Sequence, residues 1–392
     1  MSLVQVDISS NDVRIKEICG AFWEIKDDQK FAHTISELAQ KFSVKSSDIQ
    51  KIVSENCEAY SEDNICNHCK LAFVYSNRTD YQHKIKSVKF DAICSQCKAE
   101  EVEARRMEQL AKLEEQRQAI HSHYALSPNI ELDAKELSFE NAVYLISFIR
   151  ANASENLLIY GPLTNSKESL APNKQFGFDI AKQLYRAGYI TVSPNSPIDA
   201  FAFKEDVPDT FFLDKVFWVL NFGEDAKKAQ NTINELERVF RQEDWPNHWY
   251  GERISLWKKL ALQECLTYLE VVMSEHNLAI TPGEKTYLVF ENVLEEYSVG
   301  QIYNLIWRAG RDAAAFYMRG GVSKPHAANT VVGSIQRQAD KAKAEGWETK
   351  AYRRDRRCPE SVVSQVLFNT AIKIGENGFT LPPIASSLTH PS

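Results

Sequence analysis

Four cysteines stand in two Cys-x-x-Cys pairs, Cys66/Cys69 and Cys94/Cys97, and their spacing points to metal chemistry. Four thiolates drawn together from two such knuckles can surround one tetrahedral Zn²⁺, and a structural site of this kind contributes folding energy directly. Paired Cys-x-x-Cys motifs at this separation are a specific metal signature, so Zn²⁺ is the expected cofactor and these four residues its ligands. Cys19, Cys57, Cys265 and Cys358 sit among apolar or mixed residues and read as core thiols.

A second chemistry is carried by cations. The chain has 392 residues and a net charge of −7, yet residues 301–357 hold twelve Lys or Arg against five Asp or Glu. That segment therefore carries +7 and the remainder −14, an asymmetry that suits an anionic partner. Trp347 and Tyr352 interleave with Lys350, Arg353, Arg354, Arg356 and Arg357. Guanidinium groups can grip phosphates bidentately while aromatic rings stack on bases, which makes these four arginines candidates for nucleic-acid contact. The competing reading is that they pair with acidic residues of the same chain.

Catalytic signatures are absent or incomplete. Gly161-Pro162-Leu163-Thr164-Asn165-Ser166-Lys167-Glu168 follows an apolar run, as a phosphate loop would. It lacks the second glycine and the hydroxyl that would bind Mg²⁺. Asp209 with Asp214-Lys215 misses the metal-nuclease spacing by one residue, and His121 and His123 do not share a helix face. His326 has no evident partner in the sequence. No catalytic residue is assigned, and a nuclease-type site dispersed over the carboxy-terminal domain stays an alternative.

The elements that must position these groups can be read from periodicity. Between the cysteine pairs, Leu71–Tyr75 and Lys84–Phe90 carry strand-like residues around the turn cluster Ser76-Asn77-Arg78-Thr79-Asp80, a hairpin pattern. Residues 64–98 thus resemble a zinc ribbon. Upstream, residues 12–57 read as three short helices, with Ile18, Cys19, Phe22 and Trp23 at helical spacing in the first. Ser and Thr are expected as N-caps, Ser46 before the third helix. A short helix over 34–42, a tight turn and a helix from Ser46 resemble a helix-turn-helix over about 30–56. The resemblance implies that Lys45, Ser47, Gln50 and Lys51 lie on the leading, solvent-facing part of a DNA-recognition helix.

The expected organisation is a helix-turn-helix-like domain over 1–60, a zinc ribbon over 61–98 and a charged helix over 99–125. A carboxy-terminal domain over 126–380 follows, mixed α/β and then mostly helical, with a disordered tail over 381–392. The fold class is therefore mostly α and multidomain. In the charged helix, Val102, Met107, Leu110, Leu113, Arg117 and Ile120 leave a narrow seam, apolar but for the arginine, which fits a spacer or a coiled-coil homodimer. Helices are expected at about 138–153, 176–187, 226–242, 252–277, 284–296, 299–319, 327–345 and 359–374, with short strands at 156–160, near 190, 200–203 and 216–220. The run of helix, Gly188 and strand resembles a winged helix leading into a hairpin. The aromatic cluster Trp245–Tyr250 is expected to seal the α/β part against the helical part.

The 44% hydrophobic and 25% charged composition is that of a globular protein, and neither a signal peptide nor a membrane-spanning run is evident. The expectation is a cytoplasmic, zinc-containing nucleic-acid-binding regulator acting on DNA or RNA. A protein–protein adaptor with a purely structural ribbon is the main alternative.

Overall fold

The computed structural model describes residues 4–26, 30–86, 93–125, 130, 132–152, 159–165, 168–222, 226–242 and 245–388. The chain divides into two compact units, Met1–Leu113 and Glu114–Ser392. It is mostly helical, with small sheets.

The first unit opens with β1 (Gln5–Ile8) and three helices, α1 (Val13–Trp23), α2 (Ile35–Lys41) and α3 (Ser46–Asn56). Asp12 caps α1 by accepting from the Arg14 and Ile15 N–H groups. Thr34 and Glu37 form a reciprocal capping box on α2. Lys45 occupies the cap of α3 without a side-chain bond, so Ser46, expected as the cap, is the first helical residue. Residues 42–45 join α2 to α3, with Ser43 in the left-handed region at φ 52°. Ile18, Cys19, Phe22, Trp23, Leu38, Ile49 and Val53 bury together where the three helices meet.

From α3 the chain runs straight into β2 (Cys57–Ile65), which pairs antiparallel with β1 and with β3 (Ala72–Tyr75). The expected second strand of the hairpin is not formed where the structure describes it. Residues 78–86 are helix α4, so 84–86 are helical, and 87–90 lie outside the described residues. The reason is local. The Ser76–Asp80 cluster caps a helix instead of turning a hairpin: the Asn77 side chain accepts from the Asp80 N–H at 2.8 Å, and Asp80 accepts from the Ser76 N–H at 3.1 Å. Arg78 then reaches back to α1, donating to the Phe22 and His33 carbonyls and stacking on the Phe22 and Phe31 rings.

Helix α5 (Ser95–His123) is longer than the charged stretch predicted, and the boundary between the units falls inside it. Of the expected seam, Val102, Met107, Leu110 and Leu113 are exposed, whereas Ile120 is buried in the core of the second unit and Arg117 donates to the Ser196 carbonyl at 2.7 Å.

In the second unit, α6 (Phe139–Asn152) is almost wholly buried, and α7 (Lys174–Arg186) packs its Phe176, Ile180 and Leu184 inward. The strands make two small antiparallel pairs, not one hairpin after Gly188. β4 (Ile190–Val192) pairs with β7 (Trp218–Leu220), and β5 (Phe201–Lys204) with β6 (Val207–Phe211). Tyr160 bridges to Trp218, while 153–158, most of the strand expected there, lies outside the described residues. Trp245 and Trp249 pack with Phe139, and the Trp249 indole donates to the Leu137 carbonyl at 2.7 Å.

The helical half comprises α8 (Ala226–Gln242), α9 (Asn247–Glu275), α10 (Glu284–Leu294), α11 (Val299–Met318) and α12 (Lys324–Glu345). These match the periodicity closely because each carries a clear apolar stripe. Ser298 and Ser323 cap α11 and α12, and Gly346 ends α12 in the left-handed region at φ 65°. After an extended stretch come α13 (Val362–Gln365), a π-helical continuation over Val366–Ala371, and α14 (Asn377–Thr380). The expected tail is structured over 381–388, where Leu381 and Leu388 pack on the core and Ser387 is buried. Residues 389–392 lie outside the described residues. Among the described residues no helix is long and apolar enough to cross a membrane.

The extended stretch after α12 lies directly on α11. The Tyr352 N–H donates to the Gly300 carbonyl at 2.8 Å, and Gln301 and Asn304 donate to the Thr349 and Lys350 carbonyls. Gly300 permits this approach. A Cβ there would stand 2.8 Å from the Tyr352 carbonyl oxygen, 3.2 Å from the Phe379 ring and 3.3 Å from the Ala351 Cβ. Gly300→Ala is therefore expected to cost about 1–3 kcal/mol, read as a lower midpoint in thermal or urea unfolding. An unchanged midpoint would show that the stretch is loosely held.

Candidate metal centre and basic surface

The two cysteine pairs converge. The sulfurs of Cys66, Cys69, Cys94 and Cys97 all lie within 4.8 Å of one another, so the four residues can hold a metal ion. Cys66 leaves the end of β2. Its N–H bonds the Leu71 carbonyl, its carbonyl accepts from Lys70, and Lys70 turns back in the left-handed region at φ 62°. The second pair belongs to the start of α5, where the Lys98 N–H closes on the Cys94 carbonyl. Strand end and helix start supply the ligands, in place of the two hairpin knuckles that the sequence suggested.

The spacing of the sulfurs fits a single bound ion. The Cys69 and Cys94 sulfurs are 3.8 Å apart, where a disulfide would require about 2.05 Å. A single ion in tetrahedral coordination with Zn–S near 2.3 Å sets its sulfurs ~3.8 Å apart. Electrostatics separates two of the thiols. Burial alone would raise the Cys66 thiol, but N–H groups of Cys94, Cys69 and His68 outweigh it and hold it down at about 6. The Cys97 thiol is pushed up, first by donating to the Cys94 sulfur and then by burial.

The α3 candidates are all exposed. Lys45, Ser47, Gln50 and Lys51 face solvent, while Ile49 and Val53 carry the inward side of the helix. Two acids share this surface: Ser47 bonds Asp48 at 3.2 Å and Lys51 approaches Glu55 at 3.9 Å.

The four carboxy-terminal arginines separate into two kinds. Arg354 reaches inward to Glu264, only 2% exposed, with contacts at 2.9 and 3.4 Å, and lies over the Phe379 ring. Ser364 donates to the same carboxylate at 2.9 Å. Arg357 pairs with Asp355 and Glu275, and that guanidinium holds the Asp355 carboxyl down at about 2. Arg353 and Arg356 are exposed and make no ion pair among the described residues. Sequence reasoning missed Glu264, although a signal was present: it sits in register with Trp257, Ala261, Tyr268 and Val272 on the buried face of α9.

The other chemical candidates are accounted for structurally. Leu163–Asn165 is a 3-10 turn fastened by Thr164 to the Asp214 carbonyl, and 166–167 lie outside the described residues. Asp214 faces Lys174, and Lys215 faces Asp199. His326 lies beside Phe316 in the first turn of α12. Compared with protein-family models, curated proteins and solved structures, the chain matches none.

Elemental analysis of the purified protein is expected to give one metal ion per chain. Cys69→Ser should abolish retention of that ion and melt the first unit early, leaving the transition of the helical unit in place. Uptake must displace thiol protons, above all from Cys97, so apparent affinity should fall as pH is lowered. A fully metal-free protein with the same unfolding curve would contradict this.

Proposed function

We propose that the protein is a zinc-containing nucleic-acid-binding protein with a regulatory role, its four-cysteine cluster holding Zn²⁺ as a structural ion. The observation that carries the reading is the first unit's construction. A three-helix core closed by a metal-competent cluster leaves Lys45, Ser47, Gln50 and Lys51 together on the outer face of α3. In a helix-turn-helix arrangement such a face enters the major groove, where Gln50 can address base edges and the lysines phosphates. Zinc is preferred over other ions because the all-sulfur set and the sulfur spacing suit it.

One observation favours the adaptor as a second reading: Arg354 and Arg357 engage carboxylates of their own chain. The nucleic-acid reading accordingly gives these two a structural role and keeps Arg353 and Arg356 for phosphates. It also leaves α5 free to pair with a second copy through Val102, Met107, Leu110 and Leu113, a face that is exposed in the single chain.

Two measurements test the proposal. Binding to labelled duplex DNA and RNA should weaken steeply with salt, and Lys45→Ala with Lys51→Ala should flatten the log–log slope by about 0.9 for each phosphate no longer neutralised. Gln50→Ala should change sequence preference and leave that slope alone; absence of binding even at low salt transfers the reading to the adaptor. For the second copy, light scattering should give twice the chain mass, falling to the monomer in Leu110→Lys/Leu113→Lys. A monomeric unmodified protein removes the coiled coil.

A further inference from the structure

The basic segment contains a site distinct from its arginine run. Between α11, α12 and the stretch laid across them is a groove of about 520 Å³, within the range of ligand sites. Arg308, Arg337, Lys341 and Lys350 line it, against Asp312 and Glu348, so it is net positive. Arg308, Arg337 and Lys350 make no ion pair among the described residues, and all three are exposed. Trp347 stands in the groove wall, 51% exposed, with the Lys341 ammonium 4.9 Å from its ring centroid.

This arrangement is built, not incidental. The Trp347 N–H closes the end of α12 on the Ala342 carbonyl, and Gln301 and Asn304 clamp the following carbonyls. A large aromatic ring is thereby held in water on a rigid support, beside cations left unneutralised. Lys350 also lines a second concavity of about 900 Å³, which holds Tyr352, Arg353 and Arg356 beside Glu275 and Asp355, the acids that Arg357 engages. Lys350, common to both, makes them neighbouring parts of one basic and aromatic track if a ligand passes over it.

We propose that this track binds single-stranded nucleic acid, with a base stacked on Trp347 and successive phosphates on Arg308 and Arg337, then Lys350 and Arg353. A stacking ring requires a base whose face is free, which a duplex hides and a single strand offers. Cations spread over two adjoining concavities suit a backbone that repeats its charge better than a lone nucleotide. The inference rests on the nucleic-acid reading above but uses a different surface from α3, so the two can fail separately.

The test uses the full-length, metal-loaded protein and fluorescein-labelled dT12, beside a labelled hairpin duplex. Trp347→Ala is expected to weaken dT12 binding about tenfold, the scale of a single base–aromatic stack, with Trp347→Phe retaining most of it. Arg308→Ala with Arg337→Ala should flatten the salt slope for dT12 by about 1.4, at ~0.7 per neutralised single-strand phosphate. Duplex binding should be unchanged in all three. If these variants bind dT12 as well as the unmodified protein does, the track is wrong while the α3 reading stands. If dTMP competes as well as dT12 does, the site takes free nucleotides and the strand proposal falls. An unmodified protein that binds neither strand nor duplex ends both. Should Trp347→Ala lower the melting temperature, the arginine variants and Trp347→Phe decide the matter.

Discussion

An ionised carboxylate enclosed in a protein interior must find a cation and further donors, and in the second unit Glu264 sets that condition. Its neighbours along α9 are core residues, so the helix cannot turn the carboxylate to water without exposing Trp257, Ala261 and Tyr268. Arg354 is the answer, supplied from 90 residues away by an extended stretch that has no ladder of its own. Ser364 provides a second donor to the carboxylate, and the Tyr303 hydroxyl donates to the Glu264 backbone carbonyl. Removing either charge would leave the other buried alone, at a cost of about 3–5 kcal/mol. Residues 346–361 are therefore fixed at their centre by charge and at their beginning by the carbonyl clamps from α11. The basic surface inherits its shape from that attachment.

The first unit meets a similar requirement with different chemistry. Its core is small. Small cores commonly need a covalent or metal cross-link. The four thiols join the end of β2 to the start of α5, while Arg78 ties α4 back to α1 through carbonyls and ring faces. Burial lowers the Arg78 guanidinium to about 10 without neutralising it, since its donors meet carbonyl oxygens and its plane meets π-electrons.

What the sequence made legible follows the strength of each local signal. The helices from α8 to α12 were visible because their apolar residues recur at 3.6-residue spacing, and the cysteine cluster because thiol pairs have few other uses. Residues 84–86 read as strand and are helical because Ser, Asn, Thr and Asp serve helix caps and hairpin turns alike; here Asn77 and Asp80 cap α4, and Tyr81 buries in the core beside them. The partners of β4 and β5 were invisible, since pairing between short strands is decided by what packs on them. Glu264 could have been found by asking why a carboxylate occupied a core register. Arg354 could not be matched to it, for nothing local tells one arginine of a run from its neighbours.

Charge segregation along the chain has the same ambiguity. The acidic remainder of the chain invited the view that internal pairing and recognition of an anion are rivals. In the structure they are divided among residues. Arg354, Arg357 and Lys343 meet carboxylates, at Glu264, Glu275 and Glu296, and fasten the stretch and its flanks to the helical core. Arg308, Arg337, Lys350 and Arg353 lie on the surface so formed, without ion pairs among the described residues. Charges used in attachment give the surface its rigidity, and rigid placement limits the entropy that unpaired side chains would lose on meeting a ligand. The two uses of the same residue type are thus successive layers of one construction, the inner making the outer available.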